Sequence, residues 1–115
     1  MERSVFTAES ITLDHGTVAL RLSGELDADS AARLHDSVHA ATVGAKAVVV
    51  DLSEVTELGS VGVSALLGAY TRSGGRVHLA GLDGHPAVRR VAALVGLDRH
   101  FTVHEDVEGF LAAVR

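Results

Sequence analysis

The chain contains no cysteine, which excludes disulfide bridges and thiolate metal ligands and agrees with a reducing compartment. Tryptophan is also absent, and three phenylalanines and one tyrosine make an aromatic share of only 3%. With 47% hydrophobic residues, the core must be assembled from close-packed Ala, Val and Leu, and a large aromatic binding pocket is not expected. Positive charge is scarce as well: Lys and Arg total 10 against 15 Asp and Glu, Lys46 is the sole lysine, and no basic stripe runs along the chain. At a formal net charge of -5, direct nucleic-acid binding is disfavoured. No apolar run approaches the ~20 residues needed to cross a bilayer, so membrane insertion is not expected. The opening MERSVFTAES is too polar for a signal peptide, which makes a cytoplasmic location the expectation. The 115 residues suffice for one domain, 1–115, with a single core and no room for a second.

What is present is organised around Val48 to Ser73. Val48, Val49 and Val50 are β-branched and uninterrupted by charge, the pattern of a strand buried on both faces. Asp51 is expected to close that strand and to lead into a short polar loop. From Val63 onward Val63, Leu66, Leu67 and Tyr70 recur at three and four, which sets them on one stripe of a helix. Ser60 stands at the junction as the expected N-cap, where free amides and the helix macrodipole favour a phosphate.

Upstream, Ser4 to Ala8 and Ile11 to Asp14 read as short extended stretches, His15-Gly16 as a turn, and Thr17 to Leu22 as a half-exposed strand ended by Ser23-Gly24. The region from Ile11 to Leu22 is thus expected to form a hairpin or a pair of adjacent strands. A helix follows with Asp29 or Ser30 as N-cap, Ala32, Leu34, Val38 and Ala41 on its inner side, and Gly44 as its stop. Downstream, Gly74-Gly75 ends the central helix and Arg76 to Ala80 forms a strand. Pro86 opens a helix to about Val95, Phe101 to Val103 forms a short strand, and Val107 to Val114 a last helix with Asp106 near its start. Strand and helix alternate after the hairpin, so the fold class is α/β, a sheet of four to five strands with three to four helices.

The stretch DLSEVTELGSVGVSALL resembles the central motif of STAS domains, the anti-sigma factor antagonist family, in which an acid-Leu-Ser strand end and an Asp-Ser-Ser-Gly or Asp-Ser-Thr-Gly loop open the next helix. GELDADSAARL is similar to the family's Gly-x-Leu-Asp entry to the first helix, and VRRVAALVGLDRHFTV to its penultimate helix and final strand. The resemblance implies a STAS-type mixed sheet. It also implies that Ser60 is the phosphoacceptor, that Gly62 is the glycine following it in the motif, and that Asp27 helps shape the surface a partner reads. Gly59 stands where the family usually has Asp, Val61 where it has Ser or Thr, and Glu57 where an apolar residue is common. The implied function is that of a bacterial anti-sigma factor antagonist, contacting its partner through Asp27, Gly59, Ser60, Val61 and Gly62. The implied partners are an anti-sigma factor with serine kinase activity, which phosphorylates Ser60, and a phosphatase. The alternative is a STAS module that is not phosphorylated and serves a stressosome-like or transporter assembly.

Other constellations are less telling. His35 and His39 share a helix face at i, i+4, but a zinc site needs a third ligand that nothing supplies, so no metal is expected. His100 and His104 flank a strand and are expected at the surface. Glu25, Asp27 and Asp29 precede a helix, where acids offset the dipole. GSVG falls one residue short of the nucleophile-elbow spacing, with no His-Asp pair to serve Ser60, and the glycines match neither a P-loop nor a dinucleotide fingerprint. Neither enzymatic activity nor a cofactor is expected.

Overall fold

A computed structural model describes residues 5–115, so the Ser4 expected to begin the first strand lies outside the described residues. β1 (Thr7–Thr12) runs through Glu9 and Ser10 without a break, uniting the two short stretches expected there. A 3-10 turn at Asp14–Gly16 leads into β2 (Thr17–Leu26), and β1 and β2 pair antiparallel as the expected hairpin. Then come α1 (Ala31–Thr42), β3 (Ala47–Leu58), α2 (Ser60–Arg72), β4 (Val77–Ala80) and α3 (Pro86–Val95). A single turn, α4 (Leu97–His100), precedes β5 (Val103–His104) and α5 (Val107–Val114). The sheet order is β1-β2-β3-β4-β5, with β2 to β5 all parallel.

Strands that advance one place at a time through right-handed crossovers put their connecting helices on one face of the sheet. That face carries the main core, where Leu34, Val38 and Ala41 of α1, Val63, Leu66 and Ala69 of α2, and Val88 and Ala92 of α3 meet Val48 and Val50. The opposite face holds a smaller cluster, in which Phe110 of α5 packs on Ala19, Val49 and Ala80. Val48, Val49 and Val50 are all fully buried, so β3 is the double-sided central strand that its composition demands.

Five expectations need correction here. β3 does not end at Asp51 but continues to Leu58, and β2 continues past Ser23-Gly24 to Leu26. From Arg21 to Ser23, β2 advances two residues while β3 advances from Asp51 to Glu54, and from Gly24 to Glu25 β3 again gains one. Each extra residue is a bulge that resets the strand's alternation, so Leu52, Val55 and Leu58 face the same core at intervals of three. Without the partner strand, SEVTEL has no strand period and reads as a loop. Ala32 is exposed rather than on the inner side of α1. Finally, the described residues form five helices rather than three or four, and Phe101 is a buried residue after α4 instead of the start of the last strand.

Candidate functional site

Parallel strands present their carboxyl ends at one edge of a sheet, and the loops leaving that edge deliver helix N-termini to it. Leu26 of β2 lies in register with Leu58 of β3, so the Asp27 loop and the Gly59-Ser60 junction emerge side by side. They are joined directly: the Gly59 amide donates to the Leu26 carbonyl at 2.8 Å. A Cβ on Gly62 would sit 2.9 Å from that carbonyl oxygen, 3.0 Å from the Leu26 Cβ and 3.1 Å from the Leu58 Cδ1. Only glycine lets the first turn of α2 come this close to β2.

The N-cap of α2 is Gly59 (φ -86°, ψ 171°), not Ser60, which is the first helical residue. The difference follows from the backbone: Gly59 is extended and its carbonyl accepts the first helical bond, from the Val63 amide at 3.0 Å. Ser60 is exposed, and no hydrogen bond ties its hydroxyl to any described residue. Val61 beside it is 43% exposed.

Asp27 organises its own loop. Its Oδ1 accepts from the Asp29 amide at 3.0 Å, the Ser30 amide at 3.2 Å and the Ser30 hydroxyl at 3.4 Å. Ser30 is the N-cap of α1, as one of the two expected, yet its hydroxyl turns back to donate to the Glu25 carbonyl at 2.8 Å and to accept from the Asp27 amide at 3.0 Å. Asp27 thus holds the two amides that lead into α1, those of Asp29 and Ser30. The structure therefore gathers all five of Asp27, Gly59, Ser60, Val61 and Gly62 at one edge. It adds what sequence reasoning missed: Glu25 and Glu57 are register partners, so this edge carries an acidic rim. No local signal could have paired them, since the pairing depends on both bulges.

The other candidates fall elsewhere. His35 and His39 stack on the exposed side of α1 with ring centroids 6.5 Å apart, and the His35 Nδ1 lies 3.4 Å from an Asp36 carboxylate oxygen. Among the described residues no three metal-ligating side chains come together. His100 is exposed, whereas the expectation of a surface His104 is overturned. His104 is half-buried on β5, bonded to His78 of β4 at 2.9 Å, because parallel pairing of β4 and β5 places both on the face covered by α5.

A five-stranded mixed sheet, the helices α1 to α3 gathered on one face with α5 on the other, and a serine at the start of the helix that follows the central strand define a STAS-type domain. The family model described as "Mlab, STAS domain" matches residues 10–107, and the chain belongs to the STAS domain family. It is similar to the anti-sigma-F factor antagonist RsfB of Mycobacterium tuberculosis, 34% identical over 112 residues covering 93% of this chain and 92% of that one. The crystal structure of an anti-sigma factor antagonist from Mycobacterium paratuberculosis superposes with a TM-score of 0.84 at 32% identity, covering 96% and 95% of the two chains. The phosphorylated form of the Bacillus cell fate determinant SpoIIAA gives 0.63 at 25% identity, covering 96% of this chain and 100% of that one.

Proposed function

We propose that this chain is an anti-sigma factor antagonist that binds an anti-sigma factor at the edge formed by Asp27 and Gly59 to Gly62, and that a serine kinase activity of that partner switches it off at Ser60. The observation that carries this reading is the exposed Ser60 hydroxyl, held by no neighbour among the described residues, on the first turn of a helix locked to β2. A kinase supplies ATP, Mg²⁺ and the catalytic base, so its substrate need only offer an accessible hydroxyl on a rigid support. The relatives named as anti-sigma factor antagonists, and the phosphorylated form of SpoIIAA, support the reading.

A phosphate on Ser60 adds about -1.5 to -2 charges, which the free amides of α2 tolerate in the unbound protein. In an interface it must be desolvated, and its repulsion by the acidic rim of Glu25 and Glu57, screened by water in the unbound protein, strengthens as that water is lost. A penalty of several kcal/mol is on the order of a thousandfold in affinity, enough for a switch that moves nothing in the fold. A phosphatase restores the binding form.

The test is to incubate the protein with ATP and its anti-sigma partner and to map phosphate by mass spectrometry, alongside binding of two variants. Ser60→Ala is expected to bind like wild type while escaping phosphorylation, and Ser60→Asp to bind more weakly, though less so than a true phosphate. Wild-type affinity for Ser60→Asp together with no phosphate at Ser60 would sink the switch. Gly59 and Val61, standing where the family has Asp and Ser or Thr, favour a second reading in that event: a STAS interaction module of a stressosome-like or transporter assembly that phosphate does not regulate.

A further inference from the structure

Beneath α5, on the sheet face opposite the main core, lie the two histidines that the partner-binding edge does not use. His78 Nδ1 and His104 Nε2 are 2.9 Å apart, with ring planes 11° from parallel. Both rings meet Phe110 edge-on, at centroid distances of 5.1 Å and 5.5 Å. Phe110 is the one fully buried side chain of α5, and an eight-residue helix does not stand in water without such an anchor. The layer that holds α5 therefore consists of Phe110, this histidine pair and the aliphatic residues around them.

A bond between two imidazole nitrogens needs one N–H and one free lone pair. With both rings protonated there is no acceptor, and two cations are left at contact distance. We propose that His78 and His104 form a pH-sensitive latch for α5: their hydrogen bond keeps the helix seated, and protonation of the pair loosens α5 from the sheet while the β3 core stays closed.

The surroundings offer the second charge little relief. From β3, Asp51 shares this face but is held by the Arg21 Nε at 3.5 Å and the Ser53 amide at 3.0 Å. Arg21 of β2 would only add positive charge, and β4 contributes no titratable group besides His78. After His104, Glu105 is exposed and Asp106 has its Oδ1 engaged by the Gly109 amide at 2.8 Å, as the N-cap of α5. On α5 itself Glu108 is exposed, as is Arg115 just beyond it. Burial, and for His78 also the neighbouring His104, push both histidines below their ordinary pKa. Groups shifted in this direction support docking fully above the ordinary histidine value and lose that support as pH falls through the lowered one.

The experiment follows amide hydrogen exchange and the histidine ring resonances of the wild-type protein by NMR from pH ~7.5 down to the pH at which the ring resonances show both histidines protonated, below the ordinary histidine value. After correction for intrinsic rates, the amides of Leu111 to Val114 are expected to exchange faster at the lower pH, on the order of tenfold for loss of one hydrogen bond, while Val49 and Val50 hold their protection. A His78→Asn, His104→Gln double variant keeps polar atoms near both positions without titrating, and its α5 is expected to exchange independently of pH. The latch is refuted if α5 protection in the wild type ignores pH, if α5 and β3 lose protection together, or if the double variant responds as the wild type does. Should that variant fail to fold, the wild-type comparison of α5 with β3 decides alone.

Discussion

Gly62 and Gly59 lie three residues apart and obey different constraints. A methyl at position 62 collides with the Leu26 backbone oxygen at 2.9 Å, an atom that cannot swing aside, whereas at Gly59 the nearest atom is 3.4 Å away and the backbone is extended. Gly62→Ala should therefore destabilise the fold by ~1 to 3 kcal/mol, despite the helix propensity of alanine, as overpacking against β2 outweighs it. Gly59→Asp should be neutral or stabilising by a few tenths of a kcal/mol, since Asp is at least as good an N-cap as Gly and has space. Urea denaturation of both variants checks the contrast, and equal losses would mean that the α2 start is not seated on β2 as described. Ser60, being the first helical residue rather than the cap, has no capping bond to lose. Ser60→Ala is accordingly expected to stay within about 0.5 kcal/mol of wild type, which makes it a clean probe of binding.

At the scale of elements, α2 lays Gly62, Val63, Leu66 and Ala69 on the sheet, with Leu67 and Tyr70 half-buried at the flanks. Leu66 is fully buried, and Leu66→Ala should cost ~2 to 5 kcal/mol in an unfolding measurement. A loss under about half a kcal/mol would mean that the face is wrongly assigned. The C-terminal ends of α1 and α2 depend on a residue that the sequence presents only as the start of a strand. Arg76 precedes β4, and its guanidinium donates to the Thr42 carbonyl at 3.1 Å, to the Ala45 carbonyl, and through Nε to the Ser73 carbonyl at 2.8 Å. These carbonyls lie at or just beyond helix ends, where the helical ladder supplies no further donor. Arg76→Lys keeps the charge but not the planar fork, and should lower stability by ~1.5 to 3 kcal/mol. An unchanged denaturation midpoint would show that the bridge contributes nothing.

For the whole molecule, one sheet separates two unequal cores, and the proposed partner-binding edge sits at the carboxyl ends of β2 and β3, whereas His35 and His39 lie on the exposed side of α1. Because those two histidines are exposed and gather no third ligand among the described residues, chelator or added zinc should leave the melting temperature unchanged. A clear drop with chelator would reveal a structural metal. The α/β class, the buried Val48 to Val50, the core stripe of α2, Pro86 opening α3 and the last helix starting near Asp106 were all legible in the sequence. β-Branching, helical periodicity and capping chemistry act between near neighbours, and the family-like spacing around Ser60 rests on the same local order. The extensions of β2 and β3, the cap at Gly59, the pairing of Glu25 with Glu57 and that of His78 with His104 were decided by tertiary structure alone. Each depends on the register between strands, and two bulged residues in β3 shift that register in a way visible only once β2 lies beside it.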